Sequence, residues 1–200
     1  MKVASGMIKV LGICGSLRKS SKNMEALQYM ASEAPKVGIE MEIADLSEIP
    51  FFNSDTEDDK HPAVEAMLQQ MMNADAFLLA SPEYNYSFAP ALKNALDWGS
   101  RIPGNTGFGG KAASLISVGG GLKGGRSQYH LRQVAVFLDL FVLNKPEVLL
   151  SGFDGTFDED GKLTDEKSMQ RMVDQLMALK ELSLKLNPPQ PVVPVIKKEL

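Results

Sequence analysis

The chain of 200 residues has 44% hydrophobic residues and a formal net charge of −4, which is typical of one globular domain. Its 21 lysines and arginines are scattered, which argues against nucleic acid or an anionic membrane as a partner. One cysteine and two histidines exclude an internal disulfide and the usual Cys/His zinc sites, so we predict no metal. No segment has the roughly 20 apolar residues of a membrane span and none resembles a signal peptide, so we expect a cytoplasmic protein.

Short apolar segments alternate with longer amphipathic ones, which is the pattern of an α/β fold. The first predicted strand, residues 8–13, is apolar on both faces, as a buried parallel strand requires. The first predicted helix, residues 23–34, has apolar residues at helical spacing and ends before Pro35. The pattern predicts four more strands and four more helices, the strands at 40–45, 76–81, 111–118 and 148–150 and the helices at 62–74, 89–98, 127–138 and 164–186.

Five strands separated by helices predict a three-layer, doubly wound parallel sheet. The chain length and the element count favour the flavodoxin-like strand order 2-1-3-4-5 over the six-stranded dinucleotide fold. Residues 1–186 are expected to form a single domain, whose last helix has Thr164 as its predicted N-cap. Residues 187–200 are rich in proline, cannot continue this helix and are interpreted as a C-terminal tail.

The turn after the first strand has the composition of a phosphate site. Residues 12–23, GICGSLRKSSKN, place two glycines, hydroxyls, a cation and an amide where a strand leads into a helix. Backbone N–H groups and the positive end of a helix bind phosphate at such a turn. The spacing matches neither a dinucleotide fingerprint nor a Walker loop, and it suits a monophosphate. The candidate donors to phosphate are Ser16, Arg18, Ser20 or Ser21, and Asn23. The alternative is a capped turn with a solvated arginine.

Two further loops follow strands that we expect at the same edge of the sheet. The segment 81–90 combines aromatic residues, an amide and prolines, so Tyr84 could lie near a flat ring and Asn85 could bond the ring edge. The run of glycines at 119–121 lets a ring approach the backbone closely. One loop for phosphate and two for a planar polar ring describe a site for flavin mononucleotide (FMN). The alternative for the middle loop is an aromatic cluster that closes the sheet.

Several motifs are similar to those of the NADPH-dependent FMN reductase family, especially its plant NAD(P)H:quinone oxidoreductases and bacterial quinone and chromate reductases. The motifs are GSLR at 15–18, SPEYN at 81–85, PALKNALDW at 90–98 and GGRSQYHLRQ at 124–133. The resemblance extends over about residues 8–186. It implies bound FMN, with NAD(P)H as co-substrate. By this resemblance Ser16, Arg18 and Asn23 hold the phosphate, with Ser21 a weaker candidate, while Pro82, Glu83, Tyr84 and Asn85 line the isoalloxazine ring, and Ser117 and Gly120 meet its pyrimidine edge.

The resemblance also implies an activity and an assembly. The expected reaction is the two-electron reduction of a small quinone by NAD(P)H, with hydride passing through flavin N5 and no catalytic side chain. The family forms homodimers and homotetramers, in which Arg126, Tyr129 and Glu147 look like an inter-subunit hydrogen-bonding set near the flavin. The alternatives are a chromate, azo or free-flavin reductase on the same scaffold, or a flavodoxin-like electron carrier.

Overall fold

The computed structural model describes residues 7–188, and a parallel sheet lies at the centre of this segment. The strands of this sheet are β1 (Ile8–Cys14), β2 (Ile39–Ala44), β3 (Ala76–Ala80), β6 (Ala112–Gly119), β7 (Phe141–Val142) and β8 (Val148–Ser151), while β4 (Glu83–Tyr84) and β5 (Ser87–Phe88) form a separate hairpin. The strands of the sheet have the order β2-β1-β3-β6, with β7 and β8 both paired to the outer side of β6. The predicted flavodoxin-like order is therefore confirmed.

The fifth strand position differs from the prediction because two chain segments share it. Strand β7 pairs with the start of β6, and β8 pairs with its end. The side chain of Gln175 bridges the interruption by donating to the carbonyls of Leu115, at 3.1 Å, and Pro146, at 2.9 Å. A buried amide from a helix thus satisfies a carbonyl that a continuous fifth strand would have paired.

Five helices cover the two faces of the sheet. They are α1 (Lys22–Glu33), α2 (Pro62–Asn73), α3 (Pro90–Gly99), α4 (Gly125–Leu138) and α5 (Glu166–Leu186). Helices α2, α3 and α4 pack on one face, and α1 and α5 pack on the other. Helix α5 is capped by Asp165, whose carboxylate accepts the N–H of Ser168 at 2.9 Å, so the prediction of Thr164 as the cap is wrong by one residue.

Alternation along the central strands sends side chains into two separate cores. Leu11 and Leu79 contribute to the core beneath α2, α3 and α4, whereas Val10 and Leu78 contribute to the core beneath α1 and α5. Both faces of each strand are buried, as the apolar sequences predict. The helices and strands therefore fix one edge of the sheet, where the carboxyl ends of the parallel strands meet.

Most of the predicted tail, residues 189–200, lies outside the described residues. Helix α5 ends at Leu186, and the next residue, Asn187, donates its side-chain N–H to the carbonyl of Gly110 at 3.2 Å. Among the helices within residues 7–188, none has the length and apolar character needed to cross a membrane.

Candidate functional site

The turn between β1 and α1 presents backbone N–H groups at the carboxyl edge of the sheet. Gly15 donates its N–H to the carbonyl of Ala80 at 2.8 Å and so extends the ladder between β1 and β3. A Cβ on Gly15 would lie 2.9 Å from the Cβ atoms of Ala89 and Leu92, so the turn can pack on the start of α3 only with glycine here. Within residues 7–188, the N–H groups of residues 16–20 have no acceptor. With the N-terminus of α1 these groups could hold a phosphate, and we call residues 16–20 the phosphate seat.

Side chains of the same turn add to this seat. Ser16 is almost buried beneath the turn, and the guanidinium of Arg18 is exposed, with one weak hydrogen bond to Ser20 at 3.5 Å. The Ser21 hydroxyl accepts the N–H of Met24 at 3.1 Å and caps α1, which leaves its O–H free to donate to a ligand. Arg18 is therefore a cation of the turn, beside the exposed Lys19, that can move towards a bound phosphate.

Asn23 has a different environment from the one that the resemblance implies. Its side chain is 5% exposed, donates to the carbonyl of Val118 at 3.0 Å and accepts the N–H of Val118 at 2.9 Å. The amide therefore lies under the turn and ties α1 to β6, instead of pointing at the phosphate seat. The amide nitrogen keeps a second N–H, so the direct phosphate contact that the resemblance implies stays a prediction.

The loop after β3 is a tight hairpin, which the sequence pattern did not predict. Asn85 and Tyr86 form its turn with φ values of 47° and 72°, the left-handed conformation that a two-residue hairpin turn requires. Asparagine adopts this conformation readily, but tyrosine is strained in it. At the base of the hairpin the Ser81 hydroxyl accepts the N–H of Ala89 at 2.9 Å. The hairpin holds Tyr84, Asn85 and Tyr86 exposed at the edge of the sheet.

An ion pair joins this hairpin to the start of α4. The Glu83 carboxylate accepts hydrogen bonds from the guanidinium of Arg126 and, at 3.3 Å, from its backbone N–H. The same guanidinium lies 3.6 Å from the ring centroid of Tyr86. Hydrogen bonding to Glu83 raises the pKa of Arg126, so the arginine stays charged. This contact fixes the distance between the hairpin and the glycine loop opposite it.

The remaining residues of the implied inter-subunit set are not brought together within the chain. Tyr129 is exposed on α4, and Glu147 pairs with Lys145 at 2.8 Å, which lowers the pKa of the Glu147 carboxyl. Within the described residues, neither a hydrogen bond nor an ion pair connects Arg126 with Glu147. A shared role for these residues therefore requires a second subunit.

A cavity of about 360 Å³ lies between the hairpin and the glycine loop after β6. A Cβ on Gly121 would meet no atom within 4 Å, and a Cβ on Gly120 would meet only the Phe153 ring, at 3.5 Å. The N–H groups of residues 120–122 have no acceptor within the described chain. The cavity is lined by Glu83, Asn85, Tyr86, Gly120, Gly121, Leu122, Gly124 and Arg126. Its free donors and missing Cβ atoms fit the polar edge of a flat ring.

Ser117 lies beneath this loop and is not among the residues that line the cavity, and its contact with a ring stays a prediction. Its hydroxyl is fully buried, donates to the carbonyl of Lys123 at 2.7 Å and accepts from the Gln128 amide at 2.9 Å. Gly124, with φ +82°, packs directly on this serine, since a Cβ there would lie 2.5 Å from the Ser117 Cβ. Ser117 therefore supports the shape of the glycine loop.

Two nearby groups are structural. Cys14 is buried at the end of β1, and burial raises the pKa of its thiol, so it is not an activated nucleophile. His130 lies against Ser87, with 3.1 Å between Nδ1 and Oγ, in a separate cleft of about 600 Å³. The aromatic and aliphatic lining of that cleft includes Phe51, Phe52, Phe88 and Val134, and its polar groups include no row of free backbone donors.

A fourth loop reaches the same edge of the sheet, and the sequence reasoning missed it. Residues 152–155 follow β8, and the Lys22 ammonium group donates to the carbonyl of Gly152 at 2.7 Å. Gly152 in turn donates its N–H to the carbonyl of Gly119 at 2.8 Å. An aromatic residue, Phe153, between two glycines just after a strand was the available signal. This loop therefore connects the phosphate seat with the cavity beside Gly120.

Comparison with known proteins places this geometry in a family. The family model described as NADPH-dependent FMN reductase matches residues 8–155. The chain is 51% identical over 190 residues to an NAD(P)H:quinone oxidoreductase of Solanum tuberosum, with 92% of this chain and 96% of that protein covered. It is 49% identical over 174 residues to an NAD(P)H-dependent FMN reductase of Pseudomonas aeruginosa, with coverage of 86% and 93%. A quinone reductase of Escherichia coli is 36% identical over 180 residues, with coverage of 88% and 96%.

Solved structures agree with these relatives. A flavoenzyme NAD(P)H:(acceptor) oxidoreductase from Paracoccus denitrificans superposes with a TM-score of 0.80 at 26% identity, covering 89% of this chain and 98% of that chain. An archaeal flavodoxin, with a TM-score of 0.62 at 11% identity and coverage of 88% and 99%, shares the fold. The phosphate seat and the cavity beside Gly120 fit the family model that matches residues 8–155, and the chain belongs to the NADPH-dependent FMN reductase family.

Proposed function

We propose that this chain is an FMN-dependent NAD(P)H:quinone oxidoreductase. The observation that carries the proposal is the pairing of a phosphate seat at residues 16–20 with a cavity beside Gly120, at one edge of the sheet. Relatives named as quinone reductases cover nearly the whole chain, which supports the same reaction. FMN has the phosphate at one end and the flat ring at the other that this arrangement fits.

In this proposal the phosphate is bound mainly by the backbone. The free N–H groups of residues 16–20 point at it, the hydroxyls of Ser16 and Ser21 donate to it, and Arg18 supplies the opposite charge. Asn23 holds the start of α1 in place through Val118. The ring is enclosed by Pro82, Glu83, Tyr84 and Asn85 on one side and by the loop at Gly120, supported by Ser117, on the other.

Bound FMN would supply the redox chemistry, the transfer of two electrons and a proton from NAD(P)H to a quinone. The chain contributes orientation and electrostatics. The free N–H groups at Gly120 and Gly121 would stabilise negative charge on a ring held beside them, because preorganised donors stabilise developing charge. The ion pair of Glu83 with Arg126 keeps the hairpin at a fixed distance from these donors. Acceptor oxygens can take protons from water, so no general acid is required.

The same proposal includes assembly into a homodimer or homotetramer in the cytoplasm. Helix α4 presents an exposed stripe of large apolar side chains, Tyr129, Val136 and Phe137, next to Arg126. Exposed apolar stripes of this kind mark protein interfaces. A second copy would cover the stripe and bring its Glu147 within reach of the first copy's Arg126 and Tyr129. Light scattering of native protein and of Phe137→Ser tests this, since the variant is expected to shift towards smaller species.

The deciding experiment measures cofactor binding and turnover separately. Native apoprotein is titrated with FMN and with riboflavin, which lacks the phosphate, and the loaded protein is then reduced by NADPH without oxygen and reoxidised by a small quinone. Arg18→Ala removes a charge-assisted contact of about 1.5–3 kcal/mol, so its FMN dissociation constant is expected to rise about 10- to 100-fold. Its riboflavin dissociation constant is expected to stay unchanged.

Arg171→Ala is the matched control, because it removes one arginine from the exposed surface of α5. A native protein that binds no FMN, or an Arg18→Ala variant that loses FMN and riboflavin equally, contradicts the proposal. The acceptor series also includes free FMN, chromate and an azo dye. Free FMN is an important acceptor in this series, because a relative that is 49% identical to this chain is named an NAD(P)H-dependent FMN reductase. Rapid turnover with a small quinone excludes an electron carrier.

A further inference from the structure

Phe153 is an exposed aromatic residue whose position the family motifs do not explain. Its side chain is 82% exposed on the loop after β8, at the edge of the sheet where the phosphate seat and the ring cavity lie. A carbon atom of its ring lies 3.5 Å from the Cβ position of Gly120. The ring therefore lies against Gly120, which also lines the cavity.

The loop that carries Phe153 is held on both sides. The Ser151 hydroxyl donates to the Asp154 carboxylate at 3.0 Å and accepts the N–H groups of Phe153 and Asp154, both at 3.2 Å. Lys22, the first residue of α1, donates to the carbonyl of Gly152 at 2.7 Å. The backbone is thus fixed between the phosphate seat and the cavity, while the ring itself stays in solvent.

An exposed phenyl ring at this place would contact a ligand that spans the phosphate seat and the cavity beside Gly120. Such a ligand would pass between the turn that begins α1 and the glycine loop, and the loop of Phe153 contacts both, through Lys22 and Gly119. Apolar area is removed from water when the ring packs on the ligand, and an aromatic partner adds an offset-stacked or edge contact. The Phe153 ring already lies at van der Waals distance from the Cβ position of Gly120, 3.5 Å, and so stands beside the glycine loop.

We propose that Phe153 is an aromatic cover that packs against the flavin beside Gly120 and slows its loss from the protein. The inference rests on the proposed function, and it assigns to this side chain a part in cofactor retention. Phe153 acts on the flavin ring and its ribityl chain, whereas Arg18 acts on the phosphate. The two residues therefore have distinguishable effects on two ligands.

The test compares dissociation constants from the quenching of flavin fluorescence. Phe153→Ala apoprotein is expected to bind FMN and riboflavin about tenfold more weakly than native apoprotein, which corresponds to about 1.4 kcal/mol for each ligand. Phe153→Tyr is expected to stay within about twofold of native, because the ring is kept. Arg18→Ala is expected to weaken FMN alone. Phe51→Ala is the matched control, since Phe51 is also 82% exposed but lines the separate cleft.

Each outcome either supports or overturns the inference about Phe153. Equal affinities of Phe153→Ala and native protein overturn the inference, as does an equal loss in Phe51→Ala. A variant that changes oligomeric state but keeps its flavin affinity assigns Phe153 to a subunit contact and also overturns it. If Phe153→Ala fails to fold, Phe153→Leu against Phe153→Tyr gives the same comparison. If native protein binds FMN and reduces quinones, and Phe153→Ala keeps native flavin affinity, this inference alone is wrong. If native protein binds no flavin, the proposed function is wrong too.

Discussion

Asn23 acts as a substitute for a missing strand, and its removal gives a measurable loss of stability. Strand β3 ends at Ala80, which pairs with Ile116 of β6. Two residues further along β6, the N–H and C=O of Val118 face the β3 side, where β3 has already ended, while β8 pairs with β6 on the other side. The Asn23 amide takes that place, with hydrogen bonds of 2.9 and 3.0 Å to the two groups.

The cost of Asn23→Ala follows from these two contacts. Val118 is buried, so the variant leaves one donor and one acceptor without partners, at about 1–3 kcal/mol each. Water that enters the space left by the amide offsets part of this, and we expect a total loss of about 2–4 kcal/mol. For a chain of this length, a loss near 3 kcal/mol lowers the melting temperature by about 6–12 °C.

The assay is urea unfolding of the apoprotein. Native protein, Asn23→Ala and Ser32→Ala are compared, since Ser32 lies on the exposed side of the same helix and its substitution is expected to change stability by less than about 0.5 kcal/mol. An Asn23→Ala variant as stable as Ser32→Ala refutes the reasoning. If that variant nevertheless binds FMN more weakly, Asn23 is a direct phosphate ligand, as the resemblance first implied.

Three further predictions concern single side chains. The buried Cys14 thiol should react with Ellman's reagent far more slowly in native than in unfolded protein. Because burial raises the pKa of this thiol only in the folded state, the thiol of the unfolded chain ionises first, above about pH 8.5. The free energy of unfolding of the native protein should therefore fall above that pH relative to that of Cys14→Ala. Gly124→Ala should lose stability and flavin affinity more than Gly161→Ala, because both glycines have φ near +80° but only a Cβ at Gly124 meets another residue, Ser117. Asp165→Ala should lose about 1 kcal/mol in urea unfolding through loss of the α5 cap, and no loss would contradict that assignment.

The order of the elements follows from local sequence patterns. Residues 8–13 and 76–81 are apolar on both faces except at Lys9 and Ser81, which is sufficient for buried strands, and the amphipathic segments between them are sufficient for helices. The strand-to-helix turn at residues 15–21 was also predictable, because its glycine and hydroxyls are contiguous in the chain, and its role in binding phosphate stays a prediction. Helix bounds agree with the prediction within about two residues, as local periodicity allows.

The hydrogen-bond and ion-pair partners of the polar side chains were decided only by the tertiary structure. Asn23 and Ser117 have the composition of ligand-binding residues, but their polar atoms are used by Val118 and by the glycine loop. The pairing of Glu83 with Arg126 joins residues 43 positions apart, and no local pattern indicates it. The split fifth strand likewise depends on Gln175 reaching from α5 into the sheet. A repeating pattern of apolar residues determines which face of an element is buried, whereas the partner of a polar group depends on where neighbouring elements end in space.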